Sequence, residues 1–95
     1  MVREVRPYAD RIARFDFDLA RQLRRSSASV VLNVAEGTGS RRGRRRLRYE
    51  IALGEARETL ANLEAATAIG YIDGVGNDMR DRFDHIIGTL VNLTR

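Results

Sequence analysis

Apolar residues recur along this chain at spacings of three and four, and turn residues break the pattern at two places. Val5, Tyr8, Ile12 and Phe15 step 3-4-3, which puts them on one helical face. Pro7 is best tolerated in a first turn, so the spacing predicts a short helix from about residues 5–7 to Phe15. Asp16 or Asp18 then caps a second helix, on which Leu19, Leu23, Ser27, Val30 and Val34 step 4-4-3-4. Val30, Val31 and Leu32 are consecutive and cover more than one face, which predicts burial on several sides in that stretch.

The stretch from Gly37 to Gly43 holds three glycines and predicts a turn. A long helix follows from about Arg44 to Ile69. Tyr49, Leu53, Ala56, Leu60, Leu63 and Thr67 mark its heptad seam, and Ala52, Ala56, Thr59, Leu63 and Ala66 form a flanking stripe of small residues. Gly54 lies within that helix at a cost of about 1 kcal/mol relative to Ala, which implies a close backbone neighbour. Gly70 is a left-handed stop with Tyr71 and Ile72 packing back. Asp73 to Asn77 is a second turn, with Asn77 as the cap of a helix carrying Met79, Phe83, Ile86, Leu90 and Leu93. The predicted fold is all-α: an antiparallel up-and-down four-helix bundle with a short first helix, one domain over residues 1–95. The third helix alone would span about 39 Å, so the bundle must be elongated. The wide apolar faces of the second and third helices exceed what a short first helix covers, which implies a homo-oligomer.

Composition narrows the functional classes. The chain has no Cys and one His, which excludes disulfides and the usual zinc sites. No apolar run approaches the roughly 20 residues of a membrane span, and the N-terminus lacks the apolar stretch of a signal peptide, so a cytoplasmic location is expected. The formal charge is +4, yet Arg41, Arg42, Arg44, Arg45, Arg46 and Arg48 fall within eight residues; without them the remainder carries −2. The protein is thus not basic throughout but bears one concentrated basic site. Arginine's planar fork binds two phosphate oxygens at once, so a polyanion is one reading of the cluster. Arginines at a helix N-terminus also oppose the dipole, which favours an anionic partner. The competing reading is a solvated surface, or pairing with Glu50, Glu55 and Glu58 of this or another subunit.

Asn33 and Glu36 share a face at the end of the second helix. A carboxylate there opposes the dipole and calls for a partner such as an arginine, which suggests a structural or register role. His85, with Asp81 and Asp84 nearby, has no nucleophile or second base beside it and reads as a surface residue. Ser26, Ser27 and Ser29 read as small packing residues. No catalytic residue, metal ligand or cofactor is expected, and the chain is expected not to be an enzyme.

The run from Gln22 to Gly37, with Asn33-Val34-Ala35-Glu36-Gly37 at its end, resembles the signature of the four-helix-bundle proteins encoded in 23S rRNA intervening sequences. So does the segment Tyr49 to Glu58, followed by Leu60, Leu63 and the stop at Gly70-Tyr71-Ile72. The resemblance covers roughly residues 17–95 and matches the family at Asn33, Glu36, Gly37, Ile51, Ala52, Gly54 and Glu58. It departs at Val31, where the family usually has Pro, and at Arg48, where many members have an aromatic. The resemblance implies a ring, typically a homopentamer, with no enzymatic activity. One branch of the family serves as the accessory protein of diversity-generating retroelements, where a basic ring binds nucleic acid and a reverse transcriptase. Such a partner is expected for this chain only if one is encoded nearby. Two functions therefore stand side by side: an oligomeric RNA- or DNA-binding accessory protein using Arg41 to Arg48, and a protein-interaction scaffold ring whose arginines pair with subunit carboxylates.

Overall fold

The first helix begins earlier than the spacing predicts. In the computed structural model, which describes residues 1–95, α1 runs Val2–Ile12. Pro7 sits inside it rather than in its first turn. The helix persists because Val5, Ala9 and Ile12 are all buried, and tertiary burial outweighs local propensity. Phe15 lies beyond the helix and is exposed, stacked on Tyr71 with ring centroids 5.3 Å apart. Asp16 accepts a hydrogen bond from the Leu19 N–H at 3.0 Å, so Asp16, not Asp18, caps α2 (Phe17–Thr38).

Helix α2 runs past its predicted end. Gly37 and Thr38 remain helical, and the turn is confined to Gly39–Arg41. Helix α3 (Arg42–Ile69) ends at Gly70, whose φ of 95° is the left-handed stop expected there. The Tyr71 N–H then reaches back to the Ala66 carbonyl at 2.9 Å. Helix α4 is Asn77–Leu93; Asn77 is its first helical residue, and the capping position falls to Gly76 without a side-chain bond. The predicted Asn77 cap is therefore not made.

The helices alternate in direction, so the fold is the predicted all-α bundle with a shorter first helix. Ser26 meets Thr59 and, twelve residues further along α2, Thr38 meets Tyr49, a falling register that sets α2 and α3 antiparallel. The seam between them follows the small residues rather than the heptad leucines. Ala52, Ala56, Thr59, Leu63 and Ala66 are all fully buried, as are Ser26 and Ser27, whereas Leu53 and Leu60 are only half-buried. Small side chains let the backbones approach closely. The Thr59 hydroxyl bridges the seam at 2.8 Å from Ser26 Oγ. The molecule is elongated, 42 × 23 × 18 Å.

Two apolar clusters divide its length. The larger joins α1 to the other helices through Val5, Ile12, Leu23, Leu63, Met79 and Phe83. The smaller joins Tyr49, Ala52 and Leu90 at the opposite end. Helix α1 has 11 residues against 22 in α2, so it covers only half of its neighbour. Beyond Met1, α2 and α4 flank an open groove. Val31, which lines that groove, is 47% exposed, and Leu32, which does not, is 62% exposed, so the burial expected around them is not made within one chain. None of the four helices is long and apolar enough to cross a membrane.

Candidate nucleic-acid interface

The turn between α2 and α3 delivers the arginines to one end of the bundle. Arg41 occupies the capping position of α3 and makes no side-chain cap, and Arg42 and Arg44 lie in its first turn. No acidic residue stands in that turn to offset the helix's positive end.

The six arginines do not form one uniform surface. Arg46 Nε pairs with Glu50 at 3.1 Å, one turn on along α3. Arg48 reaches across to α2, where its Nη1 lies 3.0 Å from Glu36 and 3.3 Å from the Asn33 side-chain oxygen. Arg45 donates to the Ser40 carbonyl at 3.3 Å, tying the turn to the helix. Arg41, Arg42, Arg44 and Arg45 have no carboxylate partner and are exposed. The pairing of the cluster with Glu55 and Glu58 that the competing reading allows does not occur within the chain. Both glutamates instead grip Arg25 of α2, Glu55 at 3.1 Å.

The residues around Asn33 form one polar clasp. Asn33 is 9% exposed; its amide donates to the Ser29 carbonyl at 2.9 Å and to Ser29 Oγ at 3.0 Å, while its oxygen accepts from Arg48. Glu36 thus has the arginine partner that its position at a helix C-terminus requires. The pair is half-exposed, so by itself it contributes about 0.2–1 kcal/mol. Its effect is mainly geometric, since it fixes the entry of α3 against the end of α2.

Gly37 explains why that entry is tight. A Cβ on Gly37 would lie 2.6 Å from Tyr49 Cε1 and 2.8 Å from Cδ1. The Tyr49 ring rests on the bare backbone of α2, with its hydroxyl 3.2 Å from the Thr38 hydroxyl. A glycine inside a helical pattern with an aromatic a dozen residues on was the available signal, but spacing alone reads Gly37 as the start of a turn. Gly54 differs: nothing lies within 4 Å of the place its Cβ would occupy. The close backbone neighbour expected there is absent from the chain itself. Glu58 is held by Arg25, and His85 is exposed at the edge of the α2–α4 groove.

The model of the 23S rRNA-intervening sequence proteins matches residues 7–92. This chain belongs to that family. No curated protein and no solved structure matches it. Within the 23S rRNA-intervening sequence fold, the signature residues now have physical roles. Asn33 and Glu36 hold Arg48, Gly37 admits Tyr49, and Glu58 ties α3 to α2. Arg48, placed by sequence among the polyanion contacts, serves the clasp. The role of Arg25 had no sequence signal, because its partners lie 30 and 33 positions away and only the antiparallel register joins them.

Proposed function

We propose that this protein is a non-enzymatic, oligomeric helical bundle that binds nucleic acid through its arginine-rich end, as an accessory to RNA or reverse-transcriptase machinery in the cytoplasm. The observation that carries the reading is the set of exposed arginines without carboxylate partners, Arg41, Arg42, Arg44 and Arg45, crowded at the start of α3. Backbone N–H groups at that helix start, unsatisfied within the chain, add to the attraction for phosphate.

Oligomerisation is supported by surface. A compact monomer of this mass exposes about 5,500 Å², whereas this chain exposes 6235 Å². The excess, roughly 700 Å², is close to one side of a standard interface. Leu32, Leu47 and Ile51 are exposed, and Leu47 and Ile51 share a stripe of α3 with the unobstructed Gly54. Repeating the free arginines around a ring would multiply one basic end into a zone.

The test is binding of a structured RNA and of duplex DNA across a salt series. The triple variant Arg41→Gln, Arg42→Gln, Arg44→Gln should weaken binding and flatten the salt slope by about 0.7–0.9 for each phosphate that is no longer neutralised. A control triple, Arg11→Gln, Arg14→Gln, Arg57→Gln, removes the same charge elsewhere and should bind as the parent does. Equal weakening in both triples would refute the site. In light scattering, Ile51→Glu should lower the mass of the assembly. A scaffold reading gains from Arg46 and Arg48, which are already paired with carboxylates. It requires that the cluster triple lose mass and that the parent show no nucleic-acid affinity at moderate salt.

A further inference from the structure

Two aromatic rings stand in solvent at the end of the bundle opposite the arginines. Phe15 is 62% exposed and Phe17 is 69% exposed. Phe15 lies in the turn between α1 and α2 and stacks on Tyr71 of the turn between α3 and α4, with the two rings nearly parallel. One face of Phe15 is thus covered and the other is open. The Ser26–Thr59 register, carried nine residues further, sets Phe17 level with Ala68 and Ile69, and Ile69 is exposed too. Met1 lies the length of α1 from this end, about 16 Å, and Arg95 the length of α4, about 26 Å.

Charge decides what fits against these rings. The two turns, residues 13–18 and 69–78, hold Asp16, Asp18, Asp73 and Asp78 against one arginine, Arg14, a net of −3. Asp16 is used as the α2 cap and Asp18 pairs with Arg21, whereas Asp73 and Asp78 are exposed without an arginine partner. Flat aromatic faces beside carboxylates suit guanidinium groups, which stack on a ring and reach an acid together. The opposite end of the molecule supplies such groups. Residues 36–50 hold six arginines and two glutamates, a net of +4, and Arg41, Arg42, Arg44 and Arg45 have no carboxylate partner. The two ends cannot meet within one chain. Helix α2 holds them about 33 Å apart, roughly four Debye lengths at physiological salt. Two copies aligned head to tail bring them together.

We infer that the arginine end of one copy docks on the acidic aromatic end of a second copy, its free guanidinium groups lying over Phe15 and Phe17 and beside Asp73 and Asp78. The contact is heterologous, so it does not close on itself and adds copies in an open string. Phe15 and Phe17 offer roughly 250 Å² of exposed apolar surface between them, well below a standard interface, so the association is weak and driven by charge. It is separate from the apolar stripe of Leu47 and Ile51. It uses the arginines of the nucleic-acid reading but needs no nucleic acid.

Two variants, each blocked at one end, isolate the contact. Phe15→Ser, Phe17→Ser removes the rings and keeps the arginines; Arg41→Gln, Arg42→Gln, Arg44→Gln removes the arginines and keeps the rings. All five side chains are exposed, so both variants should melt within a few degrees of the parent. Nuclease-treated parent should gain light-scattering mass with concentration at about 20 mM salt and lose that gain at about 500 mM, where charges are screened. Neither variant should show the gain alone. In fluorescence anisotropy at low salt, the labelled arginine variant should bind the unlabelled phenylalanine variant about tenfold or more tightly than it binds further copies of itself. Asp73→Arg, at an exposed turn residue, reverses the charge beside the rings and should abolish the parent's salt-sensitive gain. Equal binding in the two mixtures would mark exchange of subunits and overturn the inference. So would a gain that survives high salt, or one that the phenylalanine variant or Asp73→Arg retains. No RNA or DNA is present, so the outcome stands apart from the nucleic-acid test.

Discussion

Gly37→Ala tests the account of the α2–α3 junction most directly, because opposing effects set its sign. At an unobstructed helical position, replacing Gly with Ala stabilises by about 0.4–1 kcal/mol. At Gly37 the added methyl would stand 2.6 Å from Tyr49 Cε1, 2.8 Å from Cδ1 and 3.3 Å from Arg48 Cβ. Ordinary carbon contacts lie near 3.5–4.0 Å, so the ring must retreat by about 1 Å. Retreat strains the Tyr49 hydroxyl's contact with Thr38 and loosens its packing with Ala52 and Leu90. Overpacking of this kind costs about 1–3 kcal/mol, which exceeds the propensity gain and leaves a net loss of roughly 1–2 kcal/mol. For a chain of this size that corresponds to a fall in melting temperature of about 5–15 °C. Thermal unfolding followed by circular dichroism at one fixed protein concentration measures it. Adding Tyr49→Leu removes the ring, so in that background Gly37→Ala should become neutral or stabilising. A rise in melting temperature for Gly37→Ala alone would refute the argument.

Gly54→Ala should behave oppositely within the chain, raising stability by up to about 1 kcal/mol, since nothing stands near its Cβ position; a loss of assembly mass in light scattering would instead place Gly54 at a subunit contact. Arg48→Gln should destabilise by about 1–2 kcal/mol in chemical denaturation, because it removes the partner of both Glu36 and Asn33; Arg42→Gln, at an unpaired arginine, should change stability by less than about 0.5 kcal/mol. Glu4 accepts a hydrogen bond from the N-terminal ammonium, is further held by its own backbone N–H and faces Arg82, which lowers its pKa to about 2 from an ordinary 4.5. A depressed carboxylate contributes stability above its unfolded pKa, so this contribution should fade as pH falls from about 4.5 through 2, and a pH series of melts should show a shallower acid decline for Glu4→Gln. Thr59→Val should cost about 1–2 kcal/mol in the same melts, because the buried Ser26 and Thr59 hydroxyls bond each other across the α2–α3 seam.

Helix number, order and most boundaries were legible in the sequence because they depend on local spacing and on a few punctuating residues. The apolar steps on α2, α3 and α4, the Asp16 cap and the Gly70 stop are properties of a dozen neighbouring residues or fewer, so they survive whatever the rest of the chain does. The density of arginine between Arg41 and Arg48 was equally plain. The errors fell where a distant residue overrode local preference. Pro7 lies inside α1 because Val5, Ala9 and Ile12 are buried by other helices. Gly37 reads as a turn but continues α2 because Tyr49 needs bare backbone there. The heptad leucines of α3 looked like its core, yet the close approach of α2 selected the small stripe beside them.

Local spacing and composition thus specify an all-α chain of four amphipathic helices with one dense basic segment. Which arginines are free follows from how the helices pack. Arg46 finds its glutamate one turn away, but Arg48 is taken by Glu36 and Asn33 of another helix, and Arg25 takes Glu55 and Glu58, which the sequence offered to the cluster as one alternative. The reason is geometric. Helical periodicity places residues that lie three or four apart, whereas the partner of a charge across an antiparallel seam is set by the register and separation of two helices, and these follow from the packing of every small residue between them.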